Sequence, residues 1–166
     1  MLKTSLMLAL IILAPSILAA GETNKACQLA TPAELEAALG EKVTGMSGAA
    51  NIGSLGVDVC QGTTSKATVL LRLAAKRDSA GSSRKDVDLE KLKAMGIQMD
   101  VKIDGPITCS TAVPTSKAME AVGFNTTCSV VKDGHVAAIE VAVKSRADMP
   151  SIDKLKPLAE KMAGRL

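Results

Sequence analysis

The sequence predicts an α+β domain: an antiparallel sheet with about three amphipathic helices packed on one face, held by two disulfides. Three observations predict it. Several segments alternate apolar and polar residues and follow one another across short turns. Three other segments carry helical patterning with capping residues, in the order helix, strands, helix, strands, helix. Four cysteines, an even number, follow a leader-like N-terminus.

The N-terminus comes first. Met1-Leu2-Lys3 gives a positive start, residues 5–18 are almost unbroken apolar sequence, and Leu18-Ala19-Ala20 offers small residues before Gly21. This is the pattern of a secretory signal peptide, cleaved between Ala20 and Gly21. The run is too short to span a bilayer, which takes about 20 apolar residues. Removing residues 1–20 leaves 146 of the 166 residues, read as a single domain over 21–166. An exported chain makes Cys27, Cys60, Cys109 and Cys128 candidate disulfide partners. Three connectivities are possible; Cys27–Cys60 with Cys109–Cys128 is favoured, because each closes a loop within one half of the chain. Zinc is the rival reading, but no two cysteines have the short spacing of zinc sites and His135 alone could assist.

Along the mature chain, Thr31, Pro32 and Glu34 form a capping box with proline at the first helical position, and Gly40 suits the residue after a helix over 32–39. Val43 starts a short strand, and Leu55, Val57 and Val59 alternate as a second. Residues 67–75 read as a central strand. A loop over 79–82 precedes a second capping pair, Ser83 with Asp86, and a helix facing Leu89, Leu92 and Met95 inward up to Gly96. The strongest alternation is Ile97, Met99, Val101 and Ile103 against Gln98, Asp100, Lys102 and Asp104, ended by Gly105-Pro106. A short strand over 107–112 and a helical turn over 116–122 follow. Strands over 126–132 and 135–143 flank Asp133-Gly134, a type I′ hairpin signal. Ile152, Leu155, Leu158, Ala159, Met162 and Leu166 mark a closing helix; Pro157 implies an irregular first turn or a start near Pro157.

Composition excludes several functions. There is no Trp or Tyr and a single Phe, Phe124, so sugar platforms and base-stacking surfaces are not expected. The formal net charge of +3 falls to +2 without Lys3, too little to argue for nucleic acid. No second run is long enough to span a membrane.

Candidate chemistry is sparse. His135 is the single histidine, beside a turn, with no nucleophile placed next to it; a solvated turn residue is the expected reading. Asp86, Asp88 and Glu90 lack the glycine and distal glutamate of a calcium loop and suit a helix start. Glu34 caps and Glu36 is solvated. Asp100 and Asp104 would sit about 13 Å apart on a strand, too far for a glycosidase pair. Met46, Met95, Met99, Met119, Met149 and Met162 are read as packing residues rather than a copper site. Asn125-Thr126-Thr127 is a glycosylation acceptor that has meaning in a eukaryotic host alone. The Gly-rich region 45–56 has no phosphate-loop lysine. No cofactor and no metal are expected.

The opening of the mature chain, Cys27-Gln28-Leu29-Ala30-Thr31-Pro32-Ala33-Glu34-Leu35 through Leu39-Gly40, resembles that of exported bacterial envelope proteins of unknown function. Gly123 to Val143 with the closing helix is similar to their second half. Many of those proteins are lipoproteins; this chain departs from them, with Gly21 where they carry the lipidation cysteine. The resemblance implies a periplasmic or secreted location and transfers no catalytic residue.

The expected function is a non-enzymatic domain binding an envelope protein partner, as an inhibitor, immunity or assembly factor. A periplasmic carrier of a small ligand or lipid is the alternative, and an enzyme built on His135 ranks last.

Overall fold

The computed structural model describes residues 24–52, 56–75 and 89–166. The leader over 1–20, Leu55, the loop over 79–82 and the Ser83–Asp86 capping pair lie outside the described residues.

A 3-10 turn, Lys25–Gln28, leads into α1 (Pro32–Leu39), then β1 (Thr44–Ile52), β2 (Val57–Thr63) and β3 (Ala67–Ala75). The second half runs α2 (Leu89–Ala94), β4 (Ile97–Asp104), β5 (Ile107–Pro114), a 3-10 turn (Lys117–Val122), β6 (Phe124–Lys132), β7 (His135–Val143) and α3 (Ile152–Ala163). The seven strands form one sheet in the order β1-β2-β3-β7-β6-β5-β4. Every pairing is antiparallel. Each half contributes a meander, and the meanders join where β3 pairs with β7 along its whole length, from Ala67 opposite Val143 to Ala75 opposite His135. Strand outweighs helix, so the domain is a sheet with helical cover rather than an even mixture.

Local sequence explains most elements. In α1 the Thr31 hydroxyl accepts from the Glu34 N–H while the Glu34 carboxylate accepts from the Thr31 N–H, which satisfies two otherwise orphaned donors. The β6–β7 hairpin turns on Asp133 and Gly134, with φ of 47° and 74°. Both values are positive, as a type I′ turn requires.

The core lies on one face of the sheet. A single row crosses it: Cys60 opposite Leu71, Leu71 opposite Ile139, Ile139 opposite Cys128, Cys128 opposite Cys109. All five are buried. Helix α3 covers this face over β5, β6 and β7 with Ile152, Leu155, Leu158, Ala159 and Met162. The turn at Lys25–Gln28 covers β1 to β3 and is tied down by Cys27–Cys60. Leu35 of α1 is fully buried and α1 packs on α3. Burying such aliphatic side chains gains roughly 1.5–3 kcal/mol each, and the second bond, Cys109–Cys128, links directly opposed residues.

Two sequence expectations are corrected. Leu89, Leu92 and Met95 do not face inward: α2 buries no residue, and Leu89 and Met95 are about half exposed. The core is already closed by α3, α1 and the first turn, and α2 packs chiefly beside β4. The closing helix is continuous through Pro157 from Ile152. Its buried stripe begins at Ile152, so packing outweighs the hydrogen bond that proline removes.

Candidate functional site

The sheet has a second face, and its composition follows from strand alternation. Residues opposite the helical face are Leu70, Arg72 and Ala74 on β3, Val136, Ala138, Glu140 and Ala142 on β7, and Asn125, Thr127, Ser129 and Val131 on β6. Further out come Thr108, Ser110 and Ala112 on β5 and Met99, Val101 and Ile103 on β4. Of these residues Ser129 alone is buried. The others are half-buried or exposed, so this face is open.

At its centre Arg72 donates to Glu140 at 2.7 Å across β3 and β7. Hydroxyls flank the ion pair, Thr127 opposite Glu140 and Ser110 opposite Thr127. At the β4 margin the face turns apolar, with Val101 43% and Ile103 74% exposed. This surface is polar at the centre and carries projecting aliphatic side chains at its margin, so hydrogen-bonding groups and apolar area lie side by side on it.

The sequence identified β4's alternation but not this consequence. The apolar set Met99, Val101 and Ile103 points away from the helices, while Asp100, Lys102 and Asp104 lie on the helical side. There Asp104 pairs with Lys156 of α3, which lowers the Asp104 pKa and raises that of Lys156. Lys102 lies 3.7 Å from Asp153. Asp104 and Lys102 therefore pair with side chains on α3, and the apolar set is left on the open face.

The other singled-out residues are dispersed. His135 is exposed at the hairpin; its Nδ1 lies 3.0 Å from the Asp133 carbonyl, which can accept but not donate, so Nδ1 carries the proton in that bond. It lines a recess of about 550 Å³ with Lys25, Gln28, Leu29, Leu73, Arg165 and Leu166. Among the described residues no hydroxyl, thiol or carboxylate side chain lines it. Glu34 receives both guanidinium nitrogens of Arg165, at 2.7 and 2.8 Å. These bonds, with those from Thr31, hold its carboxyl down to about 2. Glu36 is not merely solvated: it accepts from the Val43 N–H at 3.1 Å, fixing the entry to β1. Asp86 and Asp88 lie outside the described residues. Met162 is buried, and Met46 and Met149 pack against the core. The Thr126 hydroxyl of the Asn125-Thr126-Thr127 motif is buried and donates to the Pro150 carbonyl at 2.6 Å. Among the described residues no group of three or more His, Cys, Asp or Glu could hold a metal ion. Among them, too, no helix is long and apolar enough to cross a membrane.

Fold and covalent chemistry together define a class: an antiparallel-sheet domain stapled by two disulfides, which fits an exported protein. No family model matches the sequence, and no curated protein matches it significantly. Among solved structures the fold is similar to the extracellular domain of PknH from Mycobacterium tuberculosis. The TM-score is 0.53 at 10% identity, over 85% of this chain and 94% of that one. At that identity the likeness concerns the fold alone.

Proposed function

We propose that this is an exported, non-enzymatic bacterial domain that binds an envelope protein partner through the open face of its sheet. The observation that carries the reading is the contrast between the two faces. One is closed by α3, α1 and a disulfide-anchored turn; the other holds the half-buried ion pair of Arg72 and Glu140 and exposed aliphatic side chains at Val101 and Ile103. Contiguous apolar area left in solvent marks interaction surfaces. A rigid surface of this kind suits an inhibitor, immunity or assembly factor, and two disulfides tie the sheet that presents it.

The test is capture from an envelope extract of the source cells with the oxidised mature domain, compared with Ala138→Arg and Val101→Glu on the open face and Lys154→Glu on the helical side. The reading requires a partner retained by the parent and by Lys154→Glu and lost with both open-face variants. Retention by all four proteins would overturn it.

A second reading, a carrier of a small ligand, is favoured by the recess beside His135. Lys25, His135 and Arg165 line it together with Leu29, Leu73 and Leu166, a combination suited to an anionic amphiphile. Native mass spectrometry of protein purified from its own host checks it; a bare mass argues against a carrier.

A further inference from the structure

We infer that β4 is a self-association edge, along which two copies of this chain pair antiparallel with Val101 of one opposite Val101 of the other. β4 ends the sheet, and among the described residues its strand partner is β5 alone, which leaves one side of its backbone without a paired strand among them. Asp104 is opposite Ile107 across the two-residue loop Gly105-Pro106. A two-residue hairpin closes on a hydrogen-bonded pair, so Asp104, Lys102 and Asp100 direct their backbone groups to β5. Ile103, Val101 and Met99 direct theirs to the free edge.

Self-pairing centred on Val101 uses that free set. It places Met99 of each copy opposite Ile103 of the other, on the open face, around the central valine pair. On the helical face it places Asp100 of each copy opposite Lys102 of the other. Charges on an edge strand ordinarily guard it against pairing. Here the signs alternate about Val101, so the guard becomes complementary in this one arrangement. Both faces are satisfied together: aliphatic against aliphatic on one, opposite charge against opposite charge on the other. Lys102 also reaches Asp153 within its own chain, but both side chains are largely exposed and the contact is long. The opposite edge, β1, lacks this pattern; its pairing is interrupted by two register shifts. α2 contacts β4, and Leu89 of α2 and Met95 just after it are exposed.

This inference goes beyond partner binding and is independent of it, since it concerns one protein in solution. The experiment is analytical ultracentrifugation of the oxidised mature chain from micromolar to near-millimolar concentration. A reversible dimer is expected. Asp100→Lys alone, and Lys102→Asp alone, oppose like charges twice in the dimer and should weaken it by about tenfold. The double variant D100K/K102D restores opposite charges and should restore the dimer. Circular dichroism and oxidised mass establish that each variant folds. A monomer at every concentration overturns the inference. So does a dimer unaffected by the single exchanges, or single-exchange defects that the double variant does not repair.

Discussion

Glu34 and Arg165, 131 residues apart, are joined by two parallel hydrogen bonds at 2.7 and 2.8 Å. Arg165 also donates to the Leu29 carbonyl at 2.7 Å. A helix cap at the start of the domain is thereby fastened to the end of α3. Glu34 has a folded-state pKa of about 2 against an ordinary 4.5. A depressed carboxylate stabilises fully above its unfolded value and stops doing so as pH falls through its folded value. Stability should therefore decline between about pH 4.5 and 2. Glu34→Gln should cost on the order of 1–2 kcal/mol at neutral pH, and its denaturation curve should converge with the parent's near the acid limit. Urea unfolding as a function of pH measures both.

The two disulfides should differ in where their loss is felt. In the chain-entropy model each contributes roughly 3–4 kcal/mol. Cys109 and Cys128 are already neighbours in paired strands, so replacing both by Ser should lower the unfolding midpoint with little local change. Cys27–Cys60 anchors a short turn to β2. Replacing that pair should also release amide protection at residues 25–29, read by hydrogen exchange. Equal protection there in both variants would contradict this account.

Gly48 is a packing requirement. A Cβ at that position would come within 2.7 Å of the Asn24 side chain and 2.8 Å of Cys27 Sγ. Neither neighbour is free to move: Asn24 donates to the Val59 carbonyl and Cys27 is bonded to Cys60. Gly48→Ala should destabilise by about 1–3 kcal/mol, the usual cost of overpacking. Denaturant titration checks it.

The fold was legible where a local rule had no competitor. The Thr31–Glu34 box set α1, and Asp133-Gly134 set the β6–β7 turn, because each is satisfied by neighbours in sequence. Pro157 misled because a local penalty was outweighed by the buried stripe from Ile152 to Met162. Met95 and Leu89 misled for the opposite reason: an apolar spacing says that a face exists, not that a core remains to receive it. The site was the least legible part. Met99, Val101 and Ile103 were visible as one side of a strand, but alternation alone is symmetric. Which side meets the helices is set by the register with β5, where Lys102 lies opposite the buried Cys109 and Val101 opposite Ser110; the contacts of Asp104 and Lys102 with Lys156 and Asp153 on α3, some 50 residues distant in sequence, follow from it.

The central claim is that the open sheet face is the contact surface. Site-specific photo-crosslinkers placed in the envelope of living cells test it most directly, at Thr127 and Ile103 on the open face and at Lys154 and Lys161 on α3. The account predicts a discrete adduct with one partner protein from Thr127 and Ile103, distinct in mass from any adduct of the chain with itself at Ile103, and none from the α3 positions. Adducts confined to Lys154 and Lys161, or no adduct from Thr127 and Ile103, would contradict it.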